Sequence, residues 1–598
     1  MSHATAPRTD TRIQEAVPTI HYQVAMPQPE THLFEVTLHL ANYPLPILDL
    51  KLPVWTPGSY LVREYAKQLQ NFAAFSDVEP LPWRKISKNH WQVQTIGVSK
   101  LTVSYRIFAN ELSVRTNHLD ATHGYFNGAA LFFRIPGWEK QPIRVSIIPP
   151  RPEWQVTTAL PADEQANTFF AADFDTLVDS PFEIGCHQLY HFEVLGKPHE
   201  LAIWGQGNLQ VQRMISDMTK IIQVEAQMFG GLPYEKYLFL LHLFSQAYGG
   251  LEHKNCCSLI YQRFGFRAQD KYDRFMQLVA HEFFHLWNVK RIRPKALEVF
   301  DYDQENYTPS LWFSEGTTSY YDLLIPLRAG IYDAKTFLSN LEKEITRYEK
   351  TPGRQVQPLS ESSFDAWIKL YRQDANSGNS QISYYLKGEM VSLLLDLLIR
   401  SKYGNQRSFD DVMLKMWQQF GSYEIGFTPE QLQSVIESVA EMDLSNFFKR
   451  YIDDTEDLPF NEYLHPFGLE LIPENEEELY LGVKTSAENG REIIKFVEAS
   501  SPAQIAGIDA GDELLAIDKI KVTASGLSDS LSGTLRDRLK DYQPNDTIQM
   551  TVFHQDELRT YSVTLASPRP TRYQVKSVAN PSKIQQENLT GWLGVSVL

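Results

Sequence analysis

The stretch His281-Glu282-Phe283-Phe284-His285 constrains this chain more than any other. It reads H-E-x-x-H, a pattern that has chemical content only on a helix. There, residues four apart project from one face, one turn apart, so both imidazoles can reach one tetrahedral zinc ion. Glu282 stands beside the first histidine, where a carboxylate can take a proton from a metal-activated water. The flanks predict the helix. Phe275, Leu278, Val279 and Leu286 recur at helical spacing, no Gly or Pro occurs between Asp270 and Arg293, and Pro294 then gives a stop. Taken alone, the pentapeptide would also fit a buried helix with two core histidines.

A catalytic zinc site needs three protein ligands and one open position. The best downstream candidate is Glu315, in Leu311-Trp312-Phe313-Ser314-Glu315-Gly316-Thr317-Thr318, which reads as a helix start after Thr308-Pro309-Ser310. A first-turn glutamate also complements a helix dipole, so position alone does not decide its role. Asp301, Asp303 and Glu305 are nearer, but lie with Asn306 in a polar stretch expected to be a solvated loop. The expected metal set is therefore His281, His285 and Glu315, holding one zinc per chain.

Trp312-Phe313-Ser314-Glu315-Gly316 is similar to the segment carrying the third zinc ligand in gluzincin aminopeptidases. In the aminopeptidase N family that glutamate follows the second histidine after a fixed, shorter gap. Here 29 residues separate His285 from Glu315, which argues against aminopeptidase N proper. The longer gap, the run from His281 to Pro294 and a C-terminal PDZ-like module together resemble the M61 family of glycyl aminopeptidases. The likeness covers nearly the whole chain. It implies a thermolysin-like, mostly helical zinc peptidase domain that removes an N-terminal residue, Gly or Ala, from peptides with a free amino terminus.

Two more segments carry the resemblance. Gly249-Gly250-Leu251-Glu252-His253 resembles the G-x-M-E-N loop that recognises the free amino terminus in related aminopeptidases. An exopeptidase must neutralise a buried ammonium, and Glu252 is the natural partner. Gly249 and Gly250 permit close backbone approach, although a Gly-rich turn with an exposed glutamate would read the same. The departure is His253, where the related loop has Asn. Ser383-Tyr384-Tyr385-Leu386-Lys387-Gly388-Glu389 resembles the Y-x-K-G motif whose tyrosine stabilises the tetrahedral intermediate. Tyr385 matches that tyrosine; Tyr384 is the alternative if the alignment slips by one. Two rivals remain at this stage: an endopeptidase with a thermolysin-like centre, and a PDZ-bearing scaffold with an inactive protease domain.

The 598 residues suffice for three or four domains, and the chain reads as multidomain α+β. Residues 1–17 are expected to be a disordered tail. Residues 18–199 are expected to form a β-sandwich-like, antiparallel domain, with strand-like runs at Thr19–Met26, His32–Leu40, Lys100–Ile107 and Ile143–Ile148. The Pro53–Arg63 segment, with its W-x-P-G-S-Y-x-x-R pattern, is expected to be a structural turn. Residues 200–466 are assigned to the catalytic domain, with a helix at Val211–Phe229, a cleft-edge strand at Tyr237–Phe244, and an exposed polar loop from Arg372 to Gln381. Pro473-Glu474-Asn475-Glu476-Glu477-Glu478 reads as a solvated linker.

The string from Ser501-Pro502-Ala503 to Leu515 resembles the S-P-A-x-x-A-G-L-x-x-G-D-x-I signature of bacterial PDZ domains and places one at 475–568. Leu481-Gly482-Val483 matches its carboxylate-binding loop, which leaves two readings open: an occluded groove in a domain used only as a packing module, or a groove that takes a ligand with a hydrophobic C-terminus. The chain's own tail, Ser596-Val597-Leu598, has that form, though Trp592–Leu598 of the extension 569–598 more simply reads as a closing strand or disordered tail.

A formal net charge of −17 disfavours nonspecific nucleic-acid binding. No run of about 18 apolar residues indicates a membrane span. Met1 to Glu15 lacks an apolar h-region, which points to the cytoplasm, or to the periplasm if a leader is missing. Three cysteines, Cys186, Cys256 and Cys257, are no disulfide framework and are expected to be buried structural residues.

Overall fold

In Thr19–Ala25 and Leu33–Ala41 every second side chain is buried: Ile20, Tyr22 and Val24 on one strand, Phe34, Val36, Leu38 and Leu40 on the other. That alternation gives each strand one core face and one outer face. The computed structural model describes residues 19–77, 79–475, 479–523, 535 and 538–594. The expected tail 1–17, the end of the acidic run at 476–478 and the Ser596-Val597-Leu598 terminus lie outside the described residues.

The N-terminal unit is built on a seven-stranded sheet in the order Thr168–Ala171, Ile143–Ile148, Thr19–Ala25, Leu33–Ala41, Lys100–Phe108, Leu69–Ser76, Glu79–Pro80. It is antiparallel except where Thr19–Ala25 pairs in parallel with Ile143–Ile148. A three-stranded sheet (Ile47–Lys51, His90–Gln94, Trp83–Ser87) belongs to the same core, where Phe72, Trp91 and Phe133 meet ring to ring. A four-stranded sheet, Gln155–Thr158, Phe182–Gly185, His123–Phe126 and His118–Leu119, completes the unit.

A five-stranded sheet follows, in the order Gln188–Val194, Lys197–Trp204, Tyr237–Phe244, Cys256–Gln262, Tyr248–Glu252. It draws in strands from before residue 200. Its three middle strands are parallel, and Tyr248–Glu252 pairs antiparallel at the edge. Tyr237–Phe244 is thus the central strand rather than the cleft edge. Its near-continuous apolar sequence, Tyr-Leu-Phe-Leu-Leu-His-Leu-Phe, is what a strand covered on both faces requires. The edge belongs to the Gly249-Gly250 segment itself. Beyond Gln269 the chain is mainly helical down to Leu464.

Three polar stretches are fastened by protein partners, although residues 372–376, Pro473 and Glu474 are exposed as expected. Asp303 accepts hydrogen bonds from Lys51 at 2.7 Å, Arg134 at 2.7 Å and Asn89 at 2.9 Å, which fastens the 301–305 stretch to the N-terminal unit. In the Arg372–Gln381 segment, Asn379 is buried and bonds the backbone of Val497 and Ala499. Pro473–Asn475 ends a strand, Leu469–Asn475, that pairs antiparallel with Pro570–Ser577. The chain therefore leaves the helical unit on one strand, forms the PDZ module, and returns on its neighbour. The extension then makes a helix, Lys583–Leu593, whose Trp592 is buried against Phe337 and Phe467. An apolar face on a capped helix explains why Trp592 is neither in a closing strand nor in a tail.

Asp179 joins the N-terminal unit to the catalytic one. It accepts from Lys290 Nζ at 2.6 Å, His253 Nδ1 at 3.1 Å and the Lys254 backbone N–H at 2.7 Å. Burial opposes its charge, but Lys290 and His253 overcome this and hold its carboxyl well below the ordinary range. The folded-state value is depressed, so its contribution to stability is present above the unfolded carboxyl value of about 4 and is lost as pH falls below that. Asp179→Asn should strand a buried lysine and cost about 3 kcal/mol. A lowered melting temperature at pH 7, with the gap to wild type closing on acidification, checks this.

Candidate metal centre

The H-E-x-x-H helix runs Gln269–Phe284, and beyond it the chain loosens into wider turns, with Lys290 N–H reaching His285 O at 3.0 Å. His281 and His285 stand edge to face with ring centroids 4.6 Å apart. Glu315 lies in a π-helical turn, Trp312–Gly316, that leads into the helix Thr317–Arg328. Its Oε2 is 3.6 Å from His281 Nε2 and 3.2 Å from His285 Nε2. The turn is pressed against the helix Tyr384–Tyr403: a Cβ on Gly316 would lie 2.5 Å from Gly388 Cα, so both glycines are needed for the approach.

The far nitrogens of the two rings are also engaged. His281 Nδ1 is 2.8 Å from Asp322 Oδ2, and His285 Nδ1 donates to Asn288 O at 2.6 Å. Asn288 in turn donates to Phe313 O and Ser314 O, tying the first histidine helix to the Glu315 turn. Both Nε2 atoms are thereby left facing Glu315 with their acceptor lone pairs. Burial would raise the Glu315 carboxyl, yet His285 and His281 bring it down to about 2. Burial likewise disfavours charge on the imidazoles, yet Asp322 and Glu315 raise His281, and Glu315 raises His285, above the ordinary value. A field that draws a proton onto these rings also draws a metal cation, and the three residues fit one.

Glu252 and Glu282 complete the centre. Glu252, Glu282 and His285 offer ligand-type atoms within 4.8 Å of one another. Both carboxylates are buried, and Glu252 Oε1 and Glu282 Oε2 have no hydrogen-bond partner. Burial foremost, with Glu252 adding, raises Glu282 to about 7, while His281 and His285 oppose the rise. Glycines admit these groups. A Cβ on Gly250 would sit 2.1 Å from Glu282 Oε1, and one on Gly58, whose φ is +85°, would sit 2.5 Å from Glu252 Oε1. The Pro57-Gly58 turn of the N-terminal unit is therefore a wall of the Glu252 pocket. Arg63 bonds Ser59 within the same segment.

His253 turns to Asp179, away from this pocket. Tyr385 lines a cleft of about 1130 Å³ together with Gly249, Gly250, His281 and Glu282. Its hydroxyl is 3.1 Å from that of Tyr371. Tyr384 is fully buried, stacks on Tyr385 with ring centroids 4.7 Å apart, and brings its own hydroxyl to 3.1 Å from that of Tyr371. Cys256 and Cys257 are buried, and burial pushes both thiols well above their ordinary value, so they pack as neutral groups, whereas Cys186 is exposed, contrary to expectation. Leu481 and Gly482 precede the PDZ strand Val483–Glu488, and with Val483 they open onto a separate cavity of about 430 Å³ shared with Lys350, Arg354 and Arg569.

Sequence reasoning missed two residues of the cleft. Asp322 sits seven residues after Glu315 on the same helical run, a spacing that puts the two on one face and could have been noticed. Arg115 comes from the N-terminal unit, lines the cleft, and donates to Gly250 O at 3.0 Å; no sequence signal marks it.

Comparison with known proteins gives the class, a metallo-aminopeptidase. Residues 21–186 match the Peptidase M61 N-terminal domain, 274–391 the M61 glycyl aminopeptidase, and 480–565 a PDZ domain. The chain is similar to the crystal structure of an aminopeptidase N family protein from Idiomarina loihiensis, with 31% identity, 96% of this chain and 100% of the other covered, and a TM-score of 0.89. It belongs to the M61 glycyl aminopeptidase family. An M1 zinc metallopeptidase from Deinococcus radiodurans also aligns, at 14% identity over 74% of this chain and 94% of that one, with a TM-score of 0.46. No match was found among curated proteins. Among the described residues, no helix is long and apolar enough to cross a membrane.

Proposed function

We propose that the protein is a zinc-dependent aminopeptidase that removes a small N-terminal residue, Gly or Ala, from peptides. The observation that carries this is the buried Glu252 carboxylate, with an unpartnered oxygen, set on the edge strand within reach of Glu282 and His285. An endopeptidase would have no use for it. His281 Nε2, His285 Nε2 and Glu315 would hold the zinc. When bound, zinc supplies Lewis acidity, which polarises the scissile carbonyl and acidifies water. Glu282 accepts the proton of the attacking water and delivers it to the leaving amine. Tyr385 donates its hydroxyl to the developing oxyanion. Glu252 pairs with the substrate α-ammonium, which fixes cleavage after the first residue. The edge strand Tyr248–Glu252 offers its backbone to the peptide. The Gly or Ala preference rests on the family likeness.

The second role follows the PDZ module. Leu481-Gly482-Val483 would receive a peptide C-terminal carboxylate, with Lys350, Arg354 and Arg569 nearby as cationic neighbours.

The test is hydrolysis of glycyl and alanyl chromogenic amides beside their N-acetylated forms, with metal content measured on the same samples. Free-amine cleavage alone supports the proposal. Cleavage of the blocked forms would replace it with an endopeptidase, and no cleavage by a zinc-loaded chain would leave the scaffold. Asp322 orients His281, so Asp322→Asn should weaken zinc binding by about 10–100-fold, read by competition with a chromogenic chelator.

A further inference from the structure

A second group of metal-binding side chains lies where the four-stranded sheet meets the five-stranded one. His123 comes from the strand His123–Phe126, Glu183 from its antiparallel neighbour Phe182–Gly185, and His242 from the central strand Tyr237–Phe244. Ligand-type atoms of the three lie within 4.8 Å of one another. His242 Nε2 is 2.7 Å from Glu183 Oε2, and His123 Nε2 is 3.5 Å from Glu183 Oε1. His187 Nδ1 approaches the same Oε1 at 3.9 Å. Relative exposures are 0% for His123, 1% for Glu183, 1% for His242 and 4% for His187.

Hydrogen bonding accounts for only part of this arrangement: His242 Nε2 pairs with Glu183 Oε2 and His187 Nε2 with Thr157 Oγ1, each at 2.7 Å. Neither ring nitrogen of His123 has a partner, nor does Glu183 Oε1 or His187 Nδ1. An unpaired polar group is costly when buried, and buried polar groups are ordinarily paired. The 3.5 and 3.9 Å separations are too long for hydrogen bonds. They are close to the spacing of about 3.4 Å expected between donors that share one tetrahedral zinc at about 2.1 Å. The 2.7 Å His242–Glu183 hydrogen bond would have to open. Trp204 stacks on His123 at 3.9 Å and fixes the ring's plane.

We propose that His123, His242 and Glu183 form a second divalent-metal site, with His187 as the adjoining fourth donor. Imidazole and carboxylate donors suit zinc among the available ions. None of the four residues lines the catalytic cleft, so the site is structural. It would clamp the N-terminal unit, which supplies Arg115 and Gly58 to the cleft, onto the central strand of the catalytic sheet.

The experiment uses the tag-free full chain carrying His285→Ala and Glu315→Ala, loaded with Zn(II) and desalted over a metal-free column. Mass spectrometry of the metal should find one zinc retained per chain, against two in the unaltered protein. Adding His242→Gln should abolish the retained ion. If that variant does not fold, Co(II) loaded into the His285→Ala, Glu315→Ala chain provides the reading, because the second group is then intact. A visible ligand-field band of tetrahedral intensity is expected. Failure of this chain to retain zinc, a retained zinc that persists in a folded His242→Gln variant, or cobalt that gives no such band would each overturn the proposal.

Discussion

Glu282→Gln is expected to lower turnover of a glycyl or alanyl amide by about 10²–10⁴-fold while the chain keeps its zinc. The substitution preserves shape in a place where shape is tightly set. Glu282 is 5% exposed, and the space a Cβ on Gly250 would need is already filled by its carboxylate. Glutamine fits the same volume but cannot accept and return a proton. His281, His285 and Glu315 are unchanged, and their outer partners Asp322 and Asn288 contact none of the altered atoms, so metal content should stay at the wild-type level. Equal loss of zinc and activity would instead mean that Glu282 holds the metal site together. An unaltered rate would remove it from the reaction.

The centre was legible in the sequence because its spacing follows from helix geometry. His281 and His285 needed only a single helix, and Glu315 and Tyr385 sat in distinctive local strings. What could not be read was produced by distant chain segments meeting. Arg115 and Gly58 reach the cleft from the N-terminal unit, and nothing local to either residue announces a partner more than a hundred residues away. His253 looked like a departure from a substrate loop; its partner Asp179 lies on another unit. The strand order failed for a related reason. Apolar content showed that Tyr237–Phe244 was a strand, but only the parallel pairing on both sides shows it to be central. The polar run at 301–305 and the buried end of 372–381, at Ser377 and Asn379, were read as solvated because composition reports what a segment can hydrogen-bond and is silent on whether protein or water supplies the bonds.

Glu252→Gln should reduce kcat/KM on free-amine substrates by about 10²–10⁴-fold, the equivalent of the about 3–5 kcal/mol lost when one member of a buried charge pair is removed. Glu252 is 4% exposed, and its Oε1 has no hydrogen-bond partner, so the substrate ammonium would be its counterion. The amide keeps the volume and loses the charge, and the ammonium must then enter a buried pocket unpaired. The same pocket can be disturbed from the opposite wall. Gly58→Ala forces a Cβ to within 2.5 Å of Glu252 Oε1 at a backbone φ of +85°, so it should raise KM with zinc content unchanged. Loss through both walls, with the metal in place, would separate recognition of the amino terminus from the chemistry at Glu282. If Glu252→Gln instead leaves free-amine hydrolysis intact, the carboxylate is not the ammonium partner. The exopeptidase reading would then have to find its anion among the other acids lining the cleft, of which Glu389 and Glu344 are candidates.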